Sequence, residues 1–354
     1  MMILENNKNI FKPVSGVIDD EYVYVAMAYC DVLCKISLSS GEVSLIKKIS
    51  DEEGESLHLV AKYEENLVLI PHVSSTLIIF NAKYDEIKRI SIPEPEKVNY
   101  NRIHIYESKM YMLPIFRKDI AVVDLVTGEV SFIKLPMNEM EKYLDSTKEY
   151  GIVSSYGHDE KLYIMCSNPN LVVEYDCNKG TFFLRKELKG SMSMCFGNGR
   201  YWIGKSDKTI VKYNSIDLID GENVILPSDF TASNILSMSS CRIVGTKAIF
   251  WSFNSNMILR VDIKTGECDS LNLPRIDFLN ANDNERCGPI YISANDTCIV
   301  FYSTMTEELI ISNVEQNTYK TIKIWPSEEL KRMVLKTEQD GINLKCFLEK
   351  LLMR

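Results

Sequence analysis

Three stretches of this chain are copies of one another: LCKISLSSGEVSLIKKI at 33–49, AVVDLVTGEVSFIKLP at 121–136 and ILRVDIKTGECDSLNLP at 258–274. Each joins one short apolar strand to another through a turn that ends in Gly-Glu. A repeat constrains a fold more tightly than any single motif, because every unit must bury its faces against another of its kind. Four looser copies follow the same plan: LIIFNAKYDEIKRISIP, LVVEYDCNKGTFFLRKEL, TIVKYNSIDLIDGENVILP and LIISNVEQNTYKTIKI. The equivalent turn residues are Ser37, Asn81, Asp124, Asp176, Asn214, Asp262 and Asn313, spaced by 44, 43, 52, 38, 48 and 51 residues. That period is long enough for four strands per unit.

The two missing strands lie ahead of each turn. YESKMYMLPI, YGHDEKLYIMC, FGNGRYWIGK, VGTKAIFWSF and SANDTCIVFYS each show a polar or glycine-containing turn and then a tight apolar strand. Seven such units, with no helical periodicity between most of them, resemble a seven-bladed β-propeller over roughly residues 11–326. The expected fold is therefore all-β, with four-stranded antiparallel blades at about 11–50, 56–93, 99–136, 151–188, 191–227, 238–274 and 288–325. The DLVTGE and DIKTGE turns are similar to those of quinoprotein-type and YVTN-type repeats. The tryptophan that docks quinoprotein blades is missing, and neither the Gly-His and Trp-Asp pairs of WD repeats nor the Gly-Gly pair of kelch repeats recurs. The resemblance thus implies a fold and leaves the subfamily, and any family-specific cofactor, unassigned.

Composition removes several function classes. A net charge of −9 and a pI near 5.2 speak against nucleic acid, which demands a basic footprint to displace counterions. No apolar run approaches the ~18 residues of a membrane span, and the N-terminus MMILENNKNIFKP does not read as a secretory leader. Ten cysteines at irregular spacing, mostly inside strand-like runs, read as reduced thiols of a cytoplasmic protein. No metal and no cofactor is expected, since the four histidines and the lone Cys30/Cys34 pair have no zinc-site spacing.

Residues 199–206, GRYWIGKS, match the pattern of a phosphate-binding loop. Such a loop needs a flexible glycine-rich turn followed by a helix. Here Arg200, Tyr201, Trp202 and Ile203 are bulky and strand-prone, and SDKTIVKYN continues as strand. The stretch reads as a turn at Gly199 with Tyr201–Ile203 in the second strand of blade five.

Propeller ligands, the resemblance implies, enter where loops converge on the central channel. The candidate channel-mouth residues are His58, His72, Asn101, Arg102, Arg117, Lys205, Asp207, Asn254, Arg286 and Glu307. They could bind a small polar ligand or a peptide, but they show no nucleophile and base at readable spacing. Residues 137–150 place Met140, Tyr143 and Leu144 at helical spacing, as a surface turn or a ligand lid. The loops of this face carry most of the net negative charge. Past Trp325-Pro326 the texture changes to a helical tail, 327–354, whose Leu344, Phe347, Leu348 and Leu351 form an apolar stripe. The stripe packs on the propeller itself or docks a partner. The function expected is a non-catalytic recognition scaffold that binds a protein or glycan through its upper face or its tail. The alternatives are a propeller hydrolase, lactonase or lyase, or a metabolite sensor using the channel mouth.

Overall fold

A computed structural model describes residues 13–330 apart from 20, 28–31, 50–57, 72–74, 82, 94–99, 115–116, 149, 216–220, 233–237, 253–254, 276–287 and 304. The apolar runs YVYVAM, NLVLIP and KMYMLP are buried at nearly every position rather than at alternate ones. A strand with that pattern must be covered on both faces. Seven antiparallel sheets of four consecutive strands result, spanning 13–48, 58–91, 100–134, 151–185, 191–223, 240–270 and 290–323. The first strands of neighbouring sheets contact one another at five of the seven seams, so they are innermost and the fourth strands outermost. The chain is a seven-bladed β-propeller.

Alternation along each strand sends neighbouring residues to opposite seams. In blade one Val23, Val25 and Met27 pack toward blade seven, whereas Tyr24 and Ala26 pack toward blade two. In blade three Met110 and Met112 face blade two, whereas Tyr111 and Leu113 face blade four. The core is accordingly a set of apolar clusters, each lying across one seam between adjacent blades.

The repeated turn residues have a common physical task. Oδ1 of Asp124, Asp176 and Asp262 each accepts two backbone N–H groups, from residues two and three further on. Ser37 Oγ caps its turn in the same way, and Asn81 Oδ1 accepts the N–H groups two and four residues further on. The glycine that follows in four of these turns takes a positive φ, at Gly41, Gly128, Gly180 and Gly266. Lysines at the start of the second strand also reach these carboxylates, Lys161 to Asp176 at 2.7 Å and Lys247 to Asp262 at 2.5 Å. These bonds hold both carboxyls below the ordinary aspartate range, Asp262 to about 2.

Blade one keeps its four strands from one continuous stretch, so the ring is closed by other means. Beyond blade seven, Trp325–Pro326 adds a fifth, parallel strand to the outer edge of blade one, opposite Glu42 and Val43. Trp325 Nε1 donates to the Ser40 carbonyl at 3.1 Å, and Ser327 N donates to the Val43 carbonyl at 2.8 Å. Ser327 Oγ then accepts Leu330 N at the start of the helical tail. Leu330 itself is buried in the cluster between blades seven and one.

Gly41 lies directly beneath this crossing, at φ +78°, where a Cβ would overlap the Lys323 carbonyl. Gly41→Ala is therefore expected to cost about 2–4 kcal/mol through strain and displacement of the crossing strand. Leu330→Ala is expected to cost about 2–5 kcal/mol through the cavity it leaves. Thermal unfolding checks both, and two melting temperatures within about 1 °C of the parent would show that this closure does not carry the ring.

Candidate functional site

The innermost strands, Pro13–Ile18, His58–Tyr63, Tyr100–Tyr106, Gly151–His158, Ser191–Gly197, Ser240–Val244 and Ile290–Ala294, form the wall of the central channel. Their sequences contain seven serines, Arg102, Arg242 and Lys62, and no aspartate or glutamate. The whole chain has 49 acidic and 40 basic residues, so the channel wall is opposite in sign to the protein that surrounds it.

Three of the serines join adjacent blades. Ser15 Oγ accepts Val60 N at 3.3 Å, Ser293 Oγ accepts Ile18 N at 2.9 Å, and Ser193 Oγ donates to the Met238 carbonyl at 2.6 Å. All three stand where the strand register slips by a residue. A bulge of this kind re-aims a side chain from its own sheet toward a neighbour. In blade three the seam is spanned by Arg102, whose Nη2 donates to the Val153 carbonyl of blade four at 3.1 Å.

Arg242, on blade six, is exposed, and its guanidinium carbon stands 5.3 Å from the centre of the Tyr291 ring in blade seven. Tyr291 stacks in turn on Trp251, with centroids 5.0 Å apart and planes inclined by 27°. Burial, and then the charge of Arg242, hold Arg102 below the usual arginine range. The two cations thus lie within each other's field.

His104 follows Arg102 by two residues, on the same face of its strand. Its ring stacks on Tyr111 at 6.2 Å, and Nε2 is buried without a hydrogen-bond partner. Gly157 of blade four makes room for the ring, since a Cβ there would overlap it. Burial pushes the imidazole down to about 4. Between blades five and six the thiols of Cys195 and Cys241 hydrogen-bond, and burial pushes Cys195 well up.

Of the residues expected at the channel mouth, Arg102 stands on the channel wall and the others described do not gather around it. Arg117 is engaged with Asp119 through two bonds of 3.0 and 2.9 Å. It lines a groove of about 750 Å³ with Lys118, Lys134 and the helical turn Met137–Met140. Lys205, the lysine of GRYWIGKS, ends the second strand of blade five and is buried, donating to the Lys189 carbonyl at 3.2 Å. Burial lowers its pKa. Gly199 is in the turn before that strand, as expected. Asp207 caps its own loop by accepting Thr209 N and Oγ1, and Glu307 sits in a turn at φ +59°. His58 and Asn101 belong to innermost strands, but their side chains, together with His72, Asn254 and Arg286, lie outside the described residues. So do Leu344, Phe347, Leu348 and Leu351 of the tail and much of the acidic rim.

Residues 137–148 are tied to the propeller. Met140 is buried between blades three and four, and Asn168 binds both Asp145 N and the carbonyls of Asp145 and Lys148. Among the described residues no three His, Cys, Asp or Glu side chains are grouped to hold a metal ion, and no helix is long and apolar enough to cross a membrane. Sequence reasoning passed over Arg242. The signal was present in the lack of acids across the seven innermost strands once the repeats were aligned.

No family model and no curated protein matches the sequence. Solved structures do match the fold. Virginiamycin B lyase from Staphylococcus aureus superposes with a TM-score of 0.57 at 12% identity, over 84% of this chain and 92% of that one. The computationally designed Ika8 protein superposes with a TM-score of 0.55 at 11% identity, over 90% of this chain and 89% of that one. These likenesses establish architecture alone.

The neutral burial of His104 has a consequence in acid. Its folded pKa near 4 lies below the ordinary value of 6.5, so the unfolded chain takes up the proton first as pH falls. Stability contributed by the neutral ring is full above about pH 6.5, declines toward pH 4 and is gone below it, a loss on the order of 3 kcal/mol. Denaturant unfolding across that window should show the slope in the parent and a smaller one in His104→Phe. An identical slope in both proteins would assign the acid sensitivity elsewhere.

Proposed function

We propose that this protein is a non-catalytic recognition propeller that takes a small polar ligand, or one side chain of a protein partner, against the inner wall of its channel. The observation that carries the reading is the wall itself: hydroxyls and two guanidiniums on seven rigid strands, with no carboxylate among them. Binding sites are commonly concave and pre-formed, with a few polar groups held in place by packed elements. Here Tyr291 and Trp251 hold Arg242, and the seam to blade four holds Arg102.

General acid–base catalysis requires a titratable group poised near the working pH and within reach of the substrate. Neither His104 nor Asp207 meets that need. His104 is neutral and wedged against Gly157, and Asp207 is occupied by its own loop. The likeness to a lyase rests on fold at 12% identity and lends no chemistry to this chain. Cys166, Cys177, Cys195, Cys241, Cys268 and Cys298 are unbridged thiols, which supports a reducing compartment such as the cytoplasm.

A thermal-shift screen of small polar molecules on the full chain tests the reading, with Ser240→Trp as a steric plug in the channel wall. Ser240 is half-buried on the innermost strand of blade six. Ligands that raise the melting temperature of the parent should fail to do so in the plugged protein, while its far-ultraviolet circular dichroism stays unchanged. Ligand shifts that survive the plug would move the site out of the channel.

A further inference from the structure

We propose that Cys195 of blade five and Cys241 of blade six are a peroxide-oxidisable pair that closes to a disulfide across the seam between their innermost strands. The assignment does not depend on the channel ligand.

The seam brings the two sulfurs together. Ser191–Gly197 and Ser240–Val244 are neighbouring innermost strands and touch one another. Two residues before Cys195, Ser193 Oγ donates to the Met238 carbonyl at 2.6 Å. Two residues after it, Gly197 lies so close to blade six that a Cβ would stand 3.0 Å from Ile243 Cδ1. Cys195 to Cys241 and Gly197 to Ile243 are the same offset of 46 residues, so the thiols share one register between two fixed points. Both belong to the apolar cluster across this seam, and their thiols hydrogen-bond. They therefore meet the first demand of a disulfide, side chains aimed at one another rather than apart. Cys268 shares the cluster but lies on the outermost strand of blade six.

The two thiols differ in access. Cys195 is fully buried, and burial keeps it protonated. Cys241 is half-buried, so an oxidant arriving from solvent meets it first. Arg242 follows directly, is exposed, and extends its positive field to the pair. Reactive thiols occupy partly exposed, electropositive surroundings of this kind.

The oxidant is a hydroperoxide. Cys241 sulfur, as its thiolate, attacks the terminal peroxide oxygen, the O–O bond breaks, and the departing alkoxide or hydroxide takes up the proton that the thiol released. This leaves a sulfenic acid on Cys241. Cys195 sulfur then attacks Cys241 sulfur, the S–S bond forms, and the hydroxyl group departs with the Cys195 proton as water. Two thiols give up two electrons and one peroxide is reduced.

The experiment treats the full chain with a modest excess of hydrogen peroxide, alkylates the remaining thiols under denaturing conditions, and maps non-reduced peptides by mass spectrometry. The expected product lacks two hydrogens, joins the peptides of Cys195 and Cys241, and returns to the starting mass with dithiothreitol. Cys195→Ala should stop at the sulfenic acid on Cys241, captured by dimedone, and Cys241→Ala should leave Cys195 reduced. The map of the parent decides the matter even where a variant fails to fold. Cys195 and Cys241 both alkylated after treatment, whether or not other cysteines were oxidised, would overturn the assignment. So would Cys241 driven to sulfinic acid beside a free Cys195, because the sulfurs would then be out of each other's reach.

Discussion

Everything in this propeller depends on the meeting of blades seven and one. A four-stranded sheet with apolar residues on both faces cannot exist alone in water, because each face exposes a row of side chains that only another blade can cover. Six seams form between consecutive blades. The seventh must bring residues almost 300 positions apart together, and it bears the loop-closure entropy of the whole chain. The structure secures it at three radii. At the inside Ile18 N meets Ser293 Oγ, in the middle Val23, Val25 and Met27 pack among Val300, Tyr302 and Leu309, and at the outside Trp325–Pro326 lies along Glu42 and Val43. Each anchor is weak alone. Together they cover the two apolar blade faces that would otherwise lie open to solvent.

The inner radius has a second constraint. Seven strands converge there, their backbone edges turn toward the channel, and no sheet partner remains on that side. Bulges at Ser15, Ser193 and Ser293 answer this by directing a short hydroxyl side chain sideways to the backbone of an adjacent blade. Arg102 does the same joining with a long cationic side chain, which adds its charge to those of Lys62 and Arg242 on the same ring of strands.

The fold was legible because its marks are local and repeated. Asp124, Asp176 and Asp262 cap turns using atoms two and three residues away, so their spacing alone reports the period. The same locality accounts for Arg117 with Asp119 and Asp207 with Thr209, pairs two residues apart whose members serve their own loops. The two-residue closing strand was not legible, since Trp325-Pro326 resembles any strand end and its partner lies near the other end of the chain. Arg242 was missed for a related reason. SCRIV is an unremarkable strand by composition, and only the assembled ring sets its arginine near one from blade three. A repeat announces its units, whereas the site belongs to the space between them.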